Sequence, residues 1–181
     1  MDGPGKTMRS KTGVRQLHKE SRERYRSSRE LAFLLQDWDD PYNVGGMFRV
    51  ADACGAAELI MSGKTPLPPH PQIAVTSLGS HRRIRWRNFE RNDAAAARLR
   101  EEGFELVAVE IAEGAVPFFE HPFGDKVCLV LGNEVNGVYG SVLKQCTAAV
   151  YIPMLGKGRS MNVHVAAAIV GYHVALETES K

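Results

Sequence analysis

Hydrophobic residues along this 181-residue chain form short runs that alternate with longer segments of helical character. The runs are largely continuous rather than alternating, which is typical of strands buried on both faces of a parallel sheet. They cover residues 31–35, 58–61, 104–111, 126–131 and 148–152. Because helical patterns lie between them, the chain is predicted to be an α/β layered fold with a mostly parallel sheet.

Two polar residues are predicted to cap helices. Asn43 precedes a helix expected to run to Cys54, with Gly55 just after its end. Ser160 precedes an alanine-rich helix, and its hydroxyl can accept a hydrogen bond from a free amide of the first turn. Each helix start presents free backbone amides to a ligand.

The composition excludes several classes of protein. The length suits one domain, and no apolar run is long enough to span a bilayer. The basic N-terminus lacks the apolar segment of a secretory signal. Cys54, Cys128 and Cys146 are widely spaced among apolar residues, which predicts reduced thiols in a cytoplasmic protein and no metal site. Gly45 and Gly46 do not form a G-x-G-x-x-G motif, so a dinucleotide site is unsupported.

Positive charge is concentrated near the N-terminus. Residues 1–30 hold nine Lys/Arg and four Asp/Glu, a balance of +5, so the rest of the chain carries −3 of the net +2. This arm predicts a polyanionic partner, with Arg15, Lys19 and Arg22 as candidate contacts; a solubilising tail is the alternative. Residues 1–11 are expected to be disordered, and residues 14–28 to form a short surface helix.

A second basic segment follows a proline-rich loop at residues 63–72. If it is a strand, Arg83, Arg85 and Arg87 share one face while Ile84 and Trp86 share the other. Such a row of cations is a candidate contact for RNA phosphates. The alternative is a solvated edge strand, because basic residues also protect sheet edges from pairing.

Three stretches of the chain, taken together, resemble a known family. They cover residues 43–49, 129–137 and 152–168. In order and spacing they resemble the three motifs of the SpoU (TrmH-like) RNA ribose methyltransferases of the SPOUT superfamily, from about residue 17 to residue 176. The resemblance implies a deep C-terminal trefoil knot. The methyltransferase domain is expected to span residues 29–181, and a basic, partly disordered arm at residues 1–28 is expected to precede it. The resemblance also implies a homodimer in which the arginine of one subunit approaches the partner's pocket.

The resemblance assigns a central catalytic role to Arg49. A guanidinium is effectively always protonated and is a poor base, so we expect Arg49 to bind a substrate phosphate and stabilise negative charge on the ribose oxygen. A salt bridge from Arg49 to Asp52 or Glu134 is the alternative. Other polar motif positions are expected to orient Arg49 and the loops that close the site. They are Asn43, Glu134, Ser160 and Asn162.

The cofactor implied by the resemblance is S-adenosylmethionine. Its expected contacts are Gly132, Ile152 and Met161, with Leu131 and Met154 beside them. A side chain at Gly132 would crowd an approaching ligand, whereas Ile152 and Met161 could enclose an adenine or simply pack in the core. The chain departs from the family pattern at Val50, Met161 and His164.

Three functions are compatible with these features. The first is an S-adenosylmethionine-dependent RNA 2′-O-ribose methyltransferase acting on tRNA or rRNA. The second is a catalytically silent RNA-binding protein on the same scaffold, against which Asn43, Arg49, Glu134 and Asn162 argue. The third is a small-molecule methyltransferase, against which the basic segments argue.

Overall fold

Strands and helices alternate along the part of the chain that this computed structural model describes, residues 10–25 and 28–176. The strands are β1 (Glu30–Gln36), β2 (Glu58–Ser62), β3 (Trp86–Phe89), β4 (Glu105–Val109), β5 (Val116–Pro117), β6 (Lys126–Leu131) and β7 (Ala148–Tyr151). The helices are α1 (Lys11–Tyr25), α2 (Pro41–Cys54), α3 (Pro71–Ser77), α4 (Asn92–Glu101), α5 (Gly140–Leu143) and α6 (Val163–Leu176).

The strands form one seven-stranded sheet in the order β3-β2-β1-β6-β4-β7-β5. Each strand pair within this sheet is parallel, which confirms the predicted fold class. Alternate side chains of β1 enter two different cores. Phe33 and Leu35 pack with α2 and α6, whereas Leu34 packs with α4 on the other face. Burial on both faces therefore explains the continuous apolar runs.

Both predicted helix caps are wrong. Asp40 caps α2 by accepting a hydrogen bond from the Tyr42 amide (2.8 Å), so Asn43 is a buried residue inside the helix. Helix α6 begins at Val163, and the Asn162 side chain accepts a hydrogen bond from the backbone amide two residues later (3.0 Å). Ser160 is exposed in the preceding loop. The prediction of Gly55 after α2 is confirmed, since this residue has φ of 68°.

The predicted arginine strand is also wrong, because β3 begins only at Trp86. Pro71 starts a helix, α3, within the region predicted to be an extended loop. Arg83 lies before β3 and pairs with Asp52 at 2.5 Å. Arg85 lies 3.7 Å from the Glu58 carboxylate, and Arg87 pairs with Glu58 (2.9 Å) and with Glu102. Arg83 is therefore held by a different segment from Arg85 and Arg87, which both lie against Glu58, so the three cations do not form one strand face.

The N-terminal segment forms a surface helix, as expected. None of the residues of α1 is buried, and the helix begins at Lys11. The disorder predicted for residues 1–11 falls mostly on residues 1–9, which lie outside the described residues. Among the described residues, no helix has the length and apolar character needed to cross a membrane.

Side chains fill the carboxyl edge of the sheet where the strand order reverses, between β1 and β6. Gln36 accepts a hydrogen bond from the Tyr139 amide (2.8 Å) and donates one to the Gly137 carbonyl (3.1 Å). The Tyr139 hydroxyl donates to Asp37 at 2.6 Å, and the Trp38 indole donates to the backbone carbonyl at the end of β6 at 3.2 Å. Doubly wound proteins often bind ligands in this crevice. Here side chains of the protein link the ends of β1 and β6.

Tyr139→Phe tests this cluster. The Tyr139 hydrogen bond, with a smaller contribution from the Lys64 amide, holds the pKa of Asp37 below its ordinary value of 3.8. A carboxyl group with a depressed folded-state pKa contributes stability above its unfolded pKa and loses it as pH falls through the folded one. Because the pair is partly hydrated, Tyr139→Phe should lower the free energy of unfolding by about 0.5–1 kcal/mol at pH 7. The deficit should shrink below pH 3.8.

Chemical denaturation at pH 7 and at acidic pH measures both effects. Tyr151→Phe is the matched control, because the Tyr151 hydroxyl makes no hydrogen bond with any described residue, and its stability should follow the wild type. An equal deficit for Tyr139→Phe at both pH values would contradict the assigned role of Asp37.

Candidate active site

The buried amide of Asn43 joins three segments that are distant in sequence. Its Oδ1 atom accepts a hydrogen bond from Asn162 Nδ2 (2.9 Å) and lies 3.2 Å from His164 Nδ1. Its Nδ2 atom donates to Glu134 Oε1 at 3.0 Å. Asn43 is only 6% exposed, so water cannot replace these partners. This cluster of four side chains, which we call the Asn43 cluster, brings together three of the five predicted catalytic residues.

Glu134 is held at the amino end of α2. Besides the Asn43 amide, its carboxylate accepts hydrogen bonds from the backbone amides of Asp39 (3.1 Å) and Asp40 (3.4 Å). A carboxylate is favoured there because free amides and the helix dipole both attract an anion. Glu134 therefore orients Asn43 and the start of α2. The alternative salt bridge from Arg49 to Glu134 is not present between these two described residues.

Arg49 is exposed and lies on α2 about two turns beyond Asn43. Its guanidinium makes no hydrogen bond or ion pair with any residue in the described part of the chain. Asp52, the alternative partner, is instead engaged by Ser80 Oγ (3.2 Å) and by Arg83. The guanidinium is thus available to an anionic ligand, and the salt-bridge alternative is not supported.

A tight turn follows β6. Asn133 Oδ1 accepts hydrogen bonds from the amides of Val135 and Asn136, both at 3.0 Å. A Cβ atom on Gly132 would lie only 2.1 Å from the Gly137 carbonyl carbon. Glycine is therefore required at position 132 because the turn folds back on it. The expected reason, space for a ligand, does not apply at that Cβ.

The loop between β7 and α6, residues 152–161, is largely exposed. Its amides and carbonyls make no hydrogen bond with any described residue, so they are free to bind a ligand or water. Its apolar side chains are only partly covered: Ile152 and Met161 are half-buried, and Met154 is 37% exposed. Free polar backbone next to apolar side chains fits a flat, polar-edged group such as the adenosine of S-adenosylmethionine.

The remaining predicted residues differ in what they contact. Leu131 lies in the core at 1% exposure, and its carbonyl accepts a hydrogen bond from the Trp38 indole. It therefore supports the end of β6 from inside the core. Ser160 is exposed and has no hydrogen bond to another described residue. Arg15, Lys19 and Arg22 lie on one exposed face of α1, since their spacing matches a helical repeat.

Besides His164, which was noted only as a departure from the family pattern, two acidic residues near the site were missed in the sequence. Asp39 Oδ2 accepts a hydrogen bond from Asn133 Nδ2 (2.9 Å), and Glu110 Oε2 accepts one from the Val138 amide (2.9 Å). Both carboxylates follow buried parallel strands, β1 and β4. Because the carboxyl ends of parallel strands meet at one edge, their positions were a usable signal.

The described residues do not support metal or thiol chemistry. The described residues contain no group of His, Cys, Asp and Glu able to hold a metal ion. All three cysteines are unpaired. Burial raises the pKa of Cys54 and of Cys146 to about 12, so neither supplies a thiolate nucleophile near neutral pH.

Comparison with known proteins gives consistent matches. A sequence model of the SpoU rRNA Methylase family matches residues 30–172. The chain is 32% identical over 142 residues to the 23S rRNA (guanosine(2553)-2′-O)-methyltransferase of Bacillus subtilis (strain 168), covering 78% of this chain and 56% of that protein. It is 32% identical over 163 residues to the tRNA (guanosine(18)-2′-O)-methyltransferase of Thermus thermophilus, covering 90% and 82%.

A solved structure agrees with these matches. An AdoMet-bound rRNA methyltransferase from Sinorhizobium meliloti superposes with a TM-score of 0.76 at 27% identity, covering 82% of this chain and 57% of that one. The chain thus spans between half and two thirds of the length of several relatives that it matches, including 65% of the Escherichia coli (strain K12) tRNA (guanosine(18)-2′-O)-methyltransferase.

Proposed function

The chain belongs to the SpoU rRNA methylase family, and from that membership we propose that it is an S-adenosylmethionine-dependent RNA 2′-O-ribose methyltransferase acting on tRNA or rRNA. One observation carries the proposal. The Asn43 cluster joins three motif segments into one site, beside an exposed Arg49 that has no partner among the described residues and a loop whose backbone is free to bind.

The cofactor would bind along the loop at residues 152–161 and the end of β6. In this proposal the residues that hold it are Gly132, Ile152 and Met161, with Leu131 and Met154 beside them. When bound, S-adenosylmethionine supplies an electrophilic methyl group. The chain's part is to hold the ribose oxygen in line with that group, using backbone donors and acceptors of the loop together with its apolar side chains.

Arg49 would bind the RNA phosphate next to the reacting ribose and stabilise negative charge on the 2′-oxygen. Its exposure and lack of a partner among the described residues support this role. The relative position of α2 and the start of α6 would be held by Asn43, Glu134 and Asn162. Ser160 would close over the bound ligands.

RNA would be recognised by an arm at residues 1–28 and by the surface of the domain at residues 29–181. Support for this division comes from α1, which has no buried residue, and from the family match, which begins at residue 30. On the domain, Arg83 and Arg85 have side chains 58% and 78% exposed and remain candidate phosphate contacts. Arg87, 26% exposed between two carboxylates, is better suited to stabilising the edge strand.

The active unit would be a homodimer. Four apolar residues of α6 share one exposed stripe at helical spacing, with 37–54% of each residue exposed. They are Val165, Ile169, Tyr172 and Leu176. An apolar stripe opposite the buried face of α6 supports a twofold contact with a second copy, through which Arg49 would reach the partner's pocket.

The deep C-terminal trefoil knot and a cytoplasmic location complete the proposal. Family membership and the packing of α6 against α2 and β1 support the knot. Three unpaired cysteines support a reducing compartment.

Methyl transfer can be tested directly. Comparing ribose methylation in RNA from cells with and without the gene identifies the RNA, and the purified protein should then methylate that nucleotide in vitro. Cofactor binding without methyl transfer to any RNA would favour the silent RNA-binding alternative.

Arg49→Ala should reduce methyl transfer by about 100-fold or more, because the charge on the ribose oxygen loses its partner. Cofactor affinity should stay within about twofold by calorimetry, since the proposed partner of Arg49 is the RNA. Arg49→Lys should recover only part of the rate, because an ammonium lacks the planar fork. Arg100→Ala, an exposed arginine on α4, is the control; equal rates for Arg49→Ala and this control would remove Arg49 from the mechanism.

Replacing Arg15, Lys19 and Arg22 together with glutamine should weaken RNA binding and make it less sensitive to salt. If all three contact phosphates, the plot of the logarithm of the RNA-binding constant against the logarithm of salt concentration should become shallower by about 2, since fewer counterions are released. A charge-matched control replaces Arg24, Arg100 and Lys144, which lie off this face of α1. Equal slopes for the two triple variants would assign α1 to solubility.

Ile169→Glu should convert the dimer to a monomer and abolish methyl transfer, because it places a charge in the apolar α6 stripe. Val75→Glu, at an apolar residue 68% exposed on α3, should change neither property. Sedimentation velocity measures the oligomeric state at the assay concentration. A fully active wild-type monomer would rule out the dimeric site.

A further inference from the structure

His164 lies at the start of α6, directly against α2. Two of its ring carbons and Nε2 lie 3.1–3.2 Å from the position that a Cβ atom on Gly46 would occupy, so the ring packs tightly against the backbone of α2 at this glycine. Gly46 precedes Arg49 by three residues, which places both on the same side of α2. The imidazole is therefore a close neighbour of the face that carries Arg49.

The hydrogen bonds of Asn43 determine which ring nitrogen of His164 carries its proton. The Glu134 carboxylate can only accept, so the Asn43 amide must turn Nδ2 toward it. Oδ1 of Asn43 then faces His164 Nδ1 at 3.2 Å and can only accept as well. Nδ1 of His164 must be the protonated nitrogen, which leaves the lone pair of the neutral ring on Nε2.

The Nε2 atom of His164 is open to a ligand. It makes no hydrogen bond with any residue of the described part of the chain. In that part of the chain, the buried side-chain nitrogen and oxygen atoms without a hydrogen-bond partner are Glu58 Oε2, Arg87 Nε and His173 Nε2. His164 Nε2 is not one of them. Nε2 therefore reaches solvent while Nδ1 stays tied to Asn43.

The ring is neutral near physiological pH. Burial lowers the pKa of His164 below its ordinary value of 6.5, and the charge of Asp40 acts in the opposite direction. Other charged groups on the surrounding segments are Arg49 on α2, Glu134 after β6, and Arg159 in the loop before α6.

We propose that His164 accepts the proton of the ribose 2′-hydroxyl at Nε2, an inference that rests on the proposed methyl transfer. As the O–H bond breaks, the proton passes to Nε2 and gives an imidazolium. The electron pair stays on the oxygen and would form the bond to the methyl group while the bond from that methyl to the sulfonium sulfur of S-adenosylmethionine breaks. The electrons of the broken bond would return to sulfur, and neutral S-adenosylhomocysteine would leave. Asn43 holds the ring in the required tautomer, as a hydrogen-bond acceptor on Nδ1–H does in other histidine bases.

The other polar groups at the site are poorly suited to this role. A guanidinium such as that of Arg49 is only a donor and offers no lone pair to a proton. The Glu134 carboxylate already accepts three N–H hydrogen bonds, which hold it against Asn43 and the start of α2. His164 is the one member of the Asn43 cluster with a free basic nitrogen.

Two substitutions separate proton transfer from the positioning of Asn43. His164→Asn keeps an N–H donor near the position of Nδ1 but removes the basic nitrogen. His164→Gln places an amide near the position of Nε2 and removes the donor to Asn43. Because both variants lack the base, their single-turnover rates of methyl transfer should be about 100- to 10,000-fold below that of the wild type. Their affinities for cofactor and for RNA should be unchanged. His70→Asn is the control, because asparagine can replace the His70 side chain as the cap of α3.

The pH profile gives a second result. The wild-type rate should rise with pH through the pKa of His164, so the acidic limb should lie below pH 6.5, and it should vanish in His164→Asn. A His164→Asn rate and profile like the wild type would overturn the proposal and leave His164 a packing residue.

Imidazole NMR tests the proposal without activity. The ¹⁵N shifts of His164 should report the Nδ1–H tautomer with a pKa below 6.5, and Asn43→Ala should release that tautomer. An Nε2–H ring in the wild type would overturn the proposal. A wild type that methylates no RNA would instead defeat the proposed function, which the NMR result does not depend on.

Discussion

The arrangement of the site depends on satisfying one buried amide, that of Asn43. An unpaired polar group at such a position would cost about 1–3 kcal/mol. Its partners come from the turn after β6 and from the start of α6, so neither segment can move alone without leaving Asn43 unpaired. A single side chain thereby fixes the positions of three segments that are distant in sequence.

The close approach of the helices makes this possible, and it depends on glycines. A Cβ atom on Gly45 would lie 1.8 Å from Thr76 Oγ1, so α3 can pack directly against α2. A Cβ on Gly171 would lie 2.7 Å from the Phe33 ring, so α6 can pack directly against β1. With Gly46 under the His164 ring, α2 is enclosed on several sides. Because these glycines have no side chain, the helices lie close enough for Asn43 to connect them by hydrogen bonds.

Much of the fold could be predicted because its signals are local. The apolar runs of β1, β2 and β6 and the glycine after α2 depend on neighbouring residues, and the structure has them as expected. The site was predicted as a set of residues but not as a set of contacts. Arg83 and Arg87 were expected on one strand face, but their carboxylate partners lie on other segments. Asn43 was expected to cap a helix, but Asp40 followed by Pro41 starts that helix earlier, and this local signal was overlooked.

The site therefore combines a rigid part with an open one. Hydrogen bonds to Asn43 hold the side chains of the Asn43 cluster together, whereas the backbone of the loop at residues 152–161 makes no hydrogen bond with a described residue. This division follows from what each part must do. Groups that orient a ribose and a proton acceptor need fixed hydrogen bonds before the ligand arrives, whereas backbone groups that bind the ligand must have no partner within the protein. Asn162 connects the two parts, because it both ends the loop and donates to Asn43. The end of the loop and the start of α6, where His164 lies, are thus positioned by the same residue.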